Sequence, residues 1–249
     1  MQQVTDYNTY TLSTAEWLKY FLIASGVIFV FAYVFYRSYI MFFVLLPVAV
    51  YFPFYKKKDL LVARKRKLSV QFKEGIQTLS ASLSSGYSME NALKESVREL
   101  ELLYGKDAMI VHEFSYISHL VNMNTPIEKA LDMFAVRSGL DDIRNFARVV
   151  RIAKRSAGDI VPIINHTAGI INDKILIKEE ILTMTASKRF EQSVMNFMPL
   201  LIVLYIDTTS KGFFDMMYST AIGRIVMTVC LLIYVGAVLI SQKILDIEV

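Results

Sequence analysis

The chain opens and closes with long apolar runs, and between them lies a polar middle in which apolar residues recur every three or four positions. Two apolar runs come first, at about 18–36 and 39–55, and two come last, at about 194–206 and 225–241. At a rise of about 1.5 Å per residue, runs of this size can cross a hydrocarbon core of roughly 30 Å as helices. Only Arg37 and Ser38 separate the first two, which predicts a tight hairpin with its spans side by side. The last run has no internal charge and is flanked by Arg224 and Lys243, which can reach the headgroups. The third is shorter and holds Asn196 and Pro199, so alone it reads as re-entrant or spanning. Proline is no objection, because neighbouring helices can satisfy the carbonyl it frees.

The middle reads as helices punctuated by caps. Leu68, Phe72, Ile76, Leu79 and Leu83 share one helical face, and Gly86 suits the left-handed residue after a helix end. Ser88 is the expected N-cap of a helix over 89–103 that Tyr104 and Gly105 end, and Asp107 the expected N-cap of one reaching Asn122. In Asn124-Thr125-Pro126-Ile127-Glu128, Thr125 fits the N-cap, Pro126 the first turn and Glu128 the reciprocal capping-box position, with the helix ending at Gly139. Asp141 is expected to cap a helix to about Ser156, Gly158 to break it, and Asp159 to open a long helix. That helix carries Ile160, Ile163, Ile164, Ala168, Ile171, Ile175 and Leu182 and runs toward the third apolar run. No stretch shows the period-two alternation of a hairpin.

The expected fold class is therefore all-α: four transmembrane helices, two N-terminal and two C-terminal, around one cytoplasmic antiparallel helical bundle. The expected division is 1–17 cytoplasmic segment, 18–55 hairpin of spans 1 and 2, 56–189 helical domain, and 190–206 span 3. An extracytoplasmic connection at 207–223, span 4 at 224–242 and a cytoplasmic tail at 243–249 complete it.

Charge orients this scheme. Net charge is only +4, but most cations fall within 56–189, including Lys56-Lys57-Lys58 and Arg64-Lys65-Arg66-Lys67. Positive charge stays inside, so the block and both termini are expected to be cytoplasmic. Only the hairpin tip and 207–223 are left outside, too little for a sensor. The first dozen residues lack the positive region and cleavage site of a secretory signal, so span 1 is expected to be retained. Cys230 is the single cysteine, so no intramolecular disulfide forms, and it reads as a packed small residue.

Candidate chemistry is sparse. No Gly-x-x-x-x-Gly-Lys-Ser/Thr loop exists to cradle phosphates, so ATP-driven work needs an ATPase on another chain. His112 and His119 are seven apart, about 10 Å along a helix and too far to share one metal ion, while His166 stands alone. His112-Glu113 resembles the start of a phosphoacceptor helix, but no nucleotide-binding domain follows. No serine lies in a strand-to-helix elbow, and Asp141-Asp142 and Glu179-Glu180 point different ways on their helices. The expectation is no enzyme activity, no cofactor and no metal.

Surfaces say more. Lys56, Lys57, Lys58, Arg64, Lys65, Arg66 and Lys67 suit anionic headgroups, at about 1 kcal/mol per nearby cation, or contact with an ATPase. Arg144, Arg148, Arg151 and Arg155 recur three or four apart, and with Lys154 they make a candidate surface for an ATPase. Phosphates could bind such a row. Interleaved acids, the low net charge and the absence of an aromatic platform argue against nucleic acid. Phe213, Phe214, Met216, Met217 and Tyr218, between Lys211 and Arg224, suit a segment lying in the membrane interface or a soft contact for a partner's transmembrane helices.

GYSMENAL at 86–93 and NTPIEKAL at 124–131 form a faint internal echo of helix-start grammar. Together with FKEGIQTLSASLSSGYSMENALKES from Phe72, SAGDIVPIINHTAGII from Ser156, MPLLIVLYI from Met198 and IGRIVMTVCLLIYVGAVLI from Ile222, they carry a resemblance. From Val70 onward the chain resembles the type II secretion system F domain family, and within it the platform proteins of tight-adherence (Flp-type) pili. The resemblance implies an inner-membrane platform that recruits a hexameric secretion ATPase and, with a second platform subunit, feeds pilins into a fibre. It also implies that the third apolar run spans. Larger platforms carry the domain twice and this chain holds one copy, which implies pairing with a second subunit or self-association. Ala157-Gly158 stands where relatives often have a Gly pair. The alternative reading is a membrane coupling subunit of an ATP-driven transporter, which the scarcity of intramembrane charge disfavours.

Overall fold

A computed structural model describes residues 6–155, 160–210 and 212–245. Among these residues every regular element is an α-helix, in the order α1 Thr14–Tyr36, α2 Tyr39–Ser84, α3 Met89–Tyr104, α4 Met109–Asn122, α5 Ile127–Ser138, α6 Asp141–Arg155, α7 Ile160–Thr209, α8 Asp215–Ser219 and α9 Ala221–Leu245. The chain divides into two compact units, one of residues 1–11 and 57–177 and the other of 12–56 and 178–249. The expected break at Gly158 and cap at Asp159 lie outside the described residues.

The first unit is the helical domain. The face read from the sequence is the one α2 buries: Leu68, Phe72, Ile76, Leu79 and Leu83 all lie in the core with Phe114, Phe134, Phe146 and Ile164. The Phe72 ring meets Phe134 and Phe146 edge-on, with centroids 6.0 and 5.7 Å away, the arrangement aromatic quadrupoles favour. Gly75 makes room for α4, because a Cβ there would sit 2.7 Å from Phe114 Cζ. Along α2 and α7 the packing turns polar. Gln77 Nε2 donates to Asn172 Oδ1 at 3.0 Å, Ser80 pairs with Asn165, and Asn165 Nδ2 donates to Ser84 Oγ at 2.8 Å.

Helix ends follow local grammar in some places. Gly86 sits at φ 87° with the Tyr87 N–H bonded to Ser82 O, and Ser88 Oγ accepts the Asn91 N–H at 3.4 Å, so α2 stops and α3 starts as the sequence predicts. Gly105 and Gly139 likewise hold positive φ.

Two expected caps are corrected. Ala108, not Asp107, occupies the N-cap of α4, and its side chain makes no capping bond. The orphan donor at Ile110 N–H instead goes to Gln71 Oε1, 3.3 Å away on α2. The N-cap position of α5 belongs to Pro126 rather than Thr125. Asn124 takes φ 61° and the Thr125 N–H bonds back to Leu120 O, so Thr125 finishes α4 instead of starting α5. Glu128 is drawn off to Lys154 at 3.0 Å, not back to the capping box.

The second unit is the membrane unit. α1 begins at Thr14, four residues before the apolar run, because Ser13 and Glu16 form a capping box in which the Ser13 N–H donates to Glu16 Oε2 at 3.1 Å. Arg37 turns the hairpin at φ 41°, ψ 34°. Val34 and Phe35 of α1, Leu200 of α7 and Met227 of α9 form the buried cluster, flanked by Phe31 and Tyr234. Gly223 is required by close approach, since a Cβ would meet Met217 O at 2.4 Å.

Among the described residues three helices are long and apolar enough to cross a membrane, within Thr14–Tyr36, Tyr39–Ser84 and Ala221–Ile244, where the sequence led us to expect four. The missing one is the segment 190–206 inside α7. Glu191, Gln192, Asn196 and Asp207 crowd its apolar part and leave too short an uninterrupted stretch. It nevertheless contributes Leu200 to the same buried cluster as α1 and α9.

Candidate functional surfaces

The cation row of α6 exists as one amphipathic face, with Ile143, Phe146, Ala147, Val150 and Ala153 buried opposite it. Its members differ in what they are free to do. Arg151 pairs with Asp132 and Lys154 with Glu128, so these two hold α6 against α5, while Arg144 bonds Asp141 in its own helix at 3.2 Å. Burial pushes the Glu128 carboxyl up, but its backbone hydrogen bond and the Lys154 ammonium outweigh this and hold it below the usual carboxylate range. Arg148 and Arg155 are exposed and have no ion pair among the described residues. The usable positive surface is therefore smaller than the sequence row.

The basic segment lies wholly within α2, whose helix continues from the apolar run without a break at 56–67. Lys57, Lys58 and Lys67 are exposed, whereas Lys56 and Arg66 have partners. Arg64 and Lys65 face the N-terminal segment. Arg64 Nη1 donates to Thr9 O at 3.4 Å and its guanidinium lies 4.9 Å from the Tyr7 ring centroid, and Lys65 Nζ donates to Asn8 Oδ1 at 2.8 Å. The sequence reading missed this, since nothing local to residues 6–9 marks them as docked.

The connection after α7 is also divided. Phe213 and Met216 are exposed at 67% and 79%, so they could meet lipid or a partner. Tyr218 is not available in this way. Its hydroxyl donates to Val34 O at 2.6 Å, and Arg37 stacks on its ring while bonding Asp207 and Asp215. Phe214 packs edge-on against Phe213 at 5.0 Å, and Met217 lies under Gly223.

Among the described residues no three of His, Cys, Asp and Glu converge as metal ligands would. His112 and His119 lie in α4 and His166 in α7. Cys230 is exposed rather than packed.

Residues 76–207 match the family model of the type II secretion system protein F, more than half of the chain. The chain belongs to the type II secretion system protein F family. The matched stretch begins on the buried face of α2, takes in the whole course of α3 to α6, and ends at Asp207 near the end of α7, so it includes the third apolar run but not α1 or α9. No curated protein and no solved structure matches the chain. Membership in the protein F family, with the apolar helices, points to an inner-membrane platform protein of a secretion or pilus machine. Proteins of this family generally work with secretion ATPases and pilins.

Proposed function

We propose that this protein F relative is the inner-membrane platform of a tight-adherence (Flp-type) pilus, or of a type II-like secretion machine, and couples a hexameric secretion ATPase to pilin extraction and assembly. It works without chemistry of its own, with a second platform subunit or another copy of itself beside it. The observation that carries this reading is α7, one helix of 50 residues from Ile160 to Thr209. Its first part supplies Ile164, Ala168, Ile171 and Ile175 to the helical core, and its last part supplies Leu200 to the membrane cluster. A continuous helix, short of one backbone hydrogen bond at Pro199, passes axial displacement along its length, which is what mechanical coupling needs.

The end of α7 packs with α1 and α9 inside the membrane unit. At one end Gln192 Nε2 donates to Ser241 Oγ of α9 at 2.7 Å, and at the other Arg37, just past α1, pairs with Asp207. The fourteen residues between Gln192 and Asp207 cover a rise of about 22 Å. Hydrogen bonds at both ends and Leu200 between them keep α7 beside α1 and α9 through this depth. Tyr234 donates to Asn196 O at 2.5 Å, next to the Met195 carbonyl that Pro199 deprives of its helical partner.

Arg148 and Arg155, exposed and without an ion pair among the described residues, are the best candidates for the ATPase-facing surface, and Phe213 and Met216 for pilins or the lipid interface. A flexible Gly-Ser segment inserted after Lys188 tests the coupling. Fibre assembly should be lost while membrane insertion and abundance are kept, and undiminished assembly would sink the proposal.

A further inference from the structure

Residues 6–9 have the composition of a polar tail, yet Tyr7 is 2% exposed. The Tyr7 N–H donates to Arg137 O at 3.0 Å, and Asn8 Nδ2 donates to Val136 O at 3.1 Å and Arg137 O at 3.2 Å. These are last-turn carbonyls of α5, which no residue of that helix can satisfy. The Tyr7 hydroxyl faces the Glu113 carboxylate, which itself pairs with Arg137. Burial first, and the Glu113 charge second, hold the phenol well above its usual range, so it stays a donor. Lys65 and Arg64 close over the segment from α2. Gly139 leaves the last space: a Cβ there would lie 2.1 Å from Asn8 Oδ1.

We propose that the helical domain carries a peptide-binding seat made by Arg64, Lys65, Glu113, Arg137 and the last carbonyls of α5, and that the chain's own residues 6–9 are its ligand, a strap that lifts when α1 is displaced. The seat recognises an aromatic hydroxyl by a buried carboxylate and a side-chain amide by helix-end carbonyls. It survives without its ligand, because the Glu113–Arg137 pair and the Arg137 guanidinium, 5.2 Å from the Tyr116 ring centroid, need no strap residue. Four residues, 10–13, join Thr9 to the start of α1 at Thr14. Even fully extended they allow roughly 17 Å of reach. Displacement of α1 beyond that tether must unseat Tyr7 and bare the end of α5. The consequence for assembly rests on the platform reading above, but the seat itself does not.

The experiment uses the full chain in membranes with Cys230→Ser as background. Asn8 Cγ lies 3.1 Å from where a Cβ at 139 would be, so Asn8→Cys with Gly139→Cys places two sulfurs within disulfide reach and removes the amide that a Cβ would strike. This pair should oxidise within one chain, and Asn8→Cys with Leu102→Cys should not. Independently, Tyr7→Ala with Asn8→Ala should speed amide exchange at 136–140 by about tenfold. Absence of the disulfide together with unchanged exchange overturns the seat.

For release, the oxidised pair should lose fibre assembly, regain it on reduction, and regain it while still oxidised once a flexible Gly-Ser segment between Thr11 and Leu12 lengthens the tether. Full assembly by the locked protein overturns the release step, and failure of the longer tether to rescue overturns the tether. If instead deletion of the wild-type gene leaves assembly intact, the platform reading fails, and the disulfide and exchange measurements still decide the seat.

Discussion

Gln71, on α2, caps α4: its Oε1 accepts the Ile110 N–H at 3.3 Å, and the two residues are 3% and 0% exposed. A helix start is thus completed from thirty-nine positions away, in a place where water cannot substitute. Gln71→Met keeps the volume and removes the acceptor, leaving a buried donor unsatisfied at a cost of about 1–3 kcal/mol. The detergent-solubilised protein should melt at lower temperature, with faster amide exchange in the first turn of α4. An unchanged melt would mean that Ile110 finds another acceptor.

Gly75 predicts an overpacking defect. Gly75→Ala sets a methyl group 2.7 Å from Phe114 Cζ, in a core where Phe114 is buried and Phe72 already packs edge-on against Phe134 and Phe146. The expected loss is about 1–3 kcal/mol. Phe114→Leu in the same chain should recover part of it, so the two changes should be less harmful together than the sum of their separate effects in thermal melts.

The cation row of α6 should split by function. Arg148→Glu with Arg155→Glu alters charges that make no ion pair among the described residues, Arg155 adding only a charge effect on Glu128, so the melting temperature should fall little while crosslinking to the secretion ATPase falls. Arg151→Glu instead places like charge against Asp132 and should weaken the α5–α6 contact. Equal loss of ATPase capture from both variants, or from neither, would count against the assignment of the free pair.

Glu128 gives a pH test with a definite sign. Its folded pKa is depressed, so the stability it contributes is present above the unfolded carboxylate value and is lost as pH falls through the folded value. Lys154→Met removes the partner. The variant should melt below wild type near neutral pH, and the gap should narrow in acid as Glu128 protonates in both proteins. The exposed Lys154 limits the neutral-pH gap to about 1 kcal/mol or less.

The residues that were legible in the sequence are those whose role is settled by near neighbours. Gly86, Gly105 and Gly139 stop helices through their own backbone, Ser88 caps through its own side chain, and the Leu68 to Leu83 face is a matter of periodicity. What escaped depends on distant partners. Asp107 and Thr125 are sound local candidates, but Gln71 supplies the first cap from another helix and the turn at Asn124 claims the second residue. The strap is the extreme case, since Tyr7 and Asn8 acquire meaning only against Lys65, Glu113 and Arg137. Among the candidate sites, the positive row could be read from spacing alone, but which of its members are already committed could not, because the acids that take them belong to α5.

The contact between α2 and α7 has a different consequence. Gln77, Ser80, Ser84, Asn165 and Asn172 meet there through short polar groups, all but the buried Ser80 at positions where water can stand in for them. Loss of a single hydroxyl or amide leaves no cavity, so this contact tolerates sequence drift that the Phe72 cluster would not. Related chains could change how tightly these two helices hold by one conservative replacement at a time, tuning friction between them without rebuilding the domain.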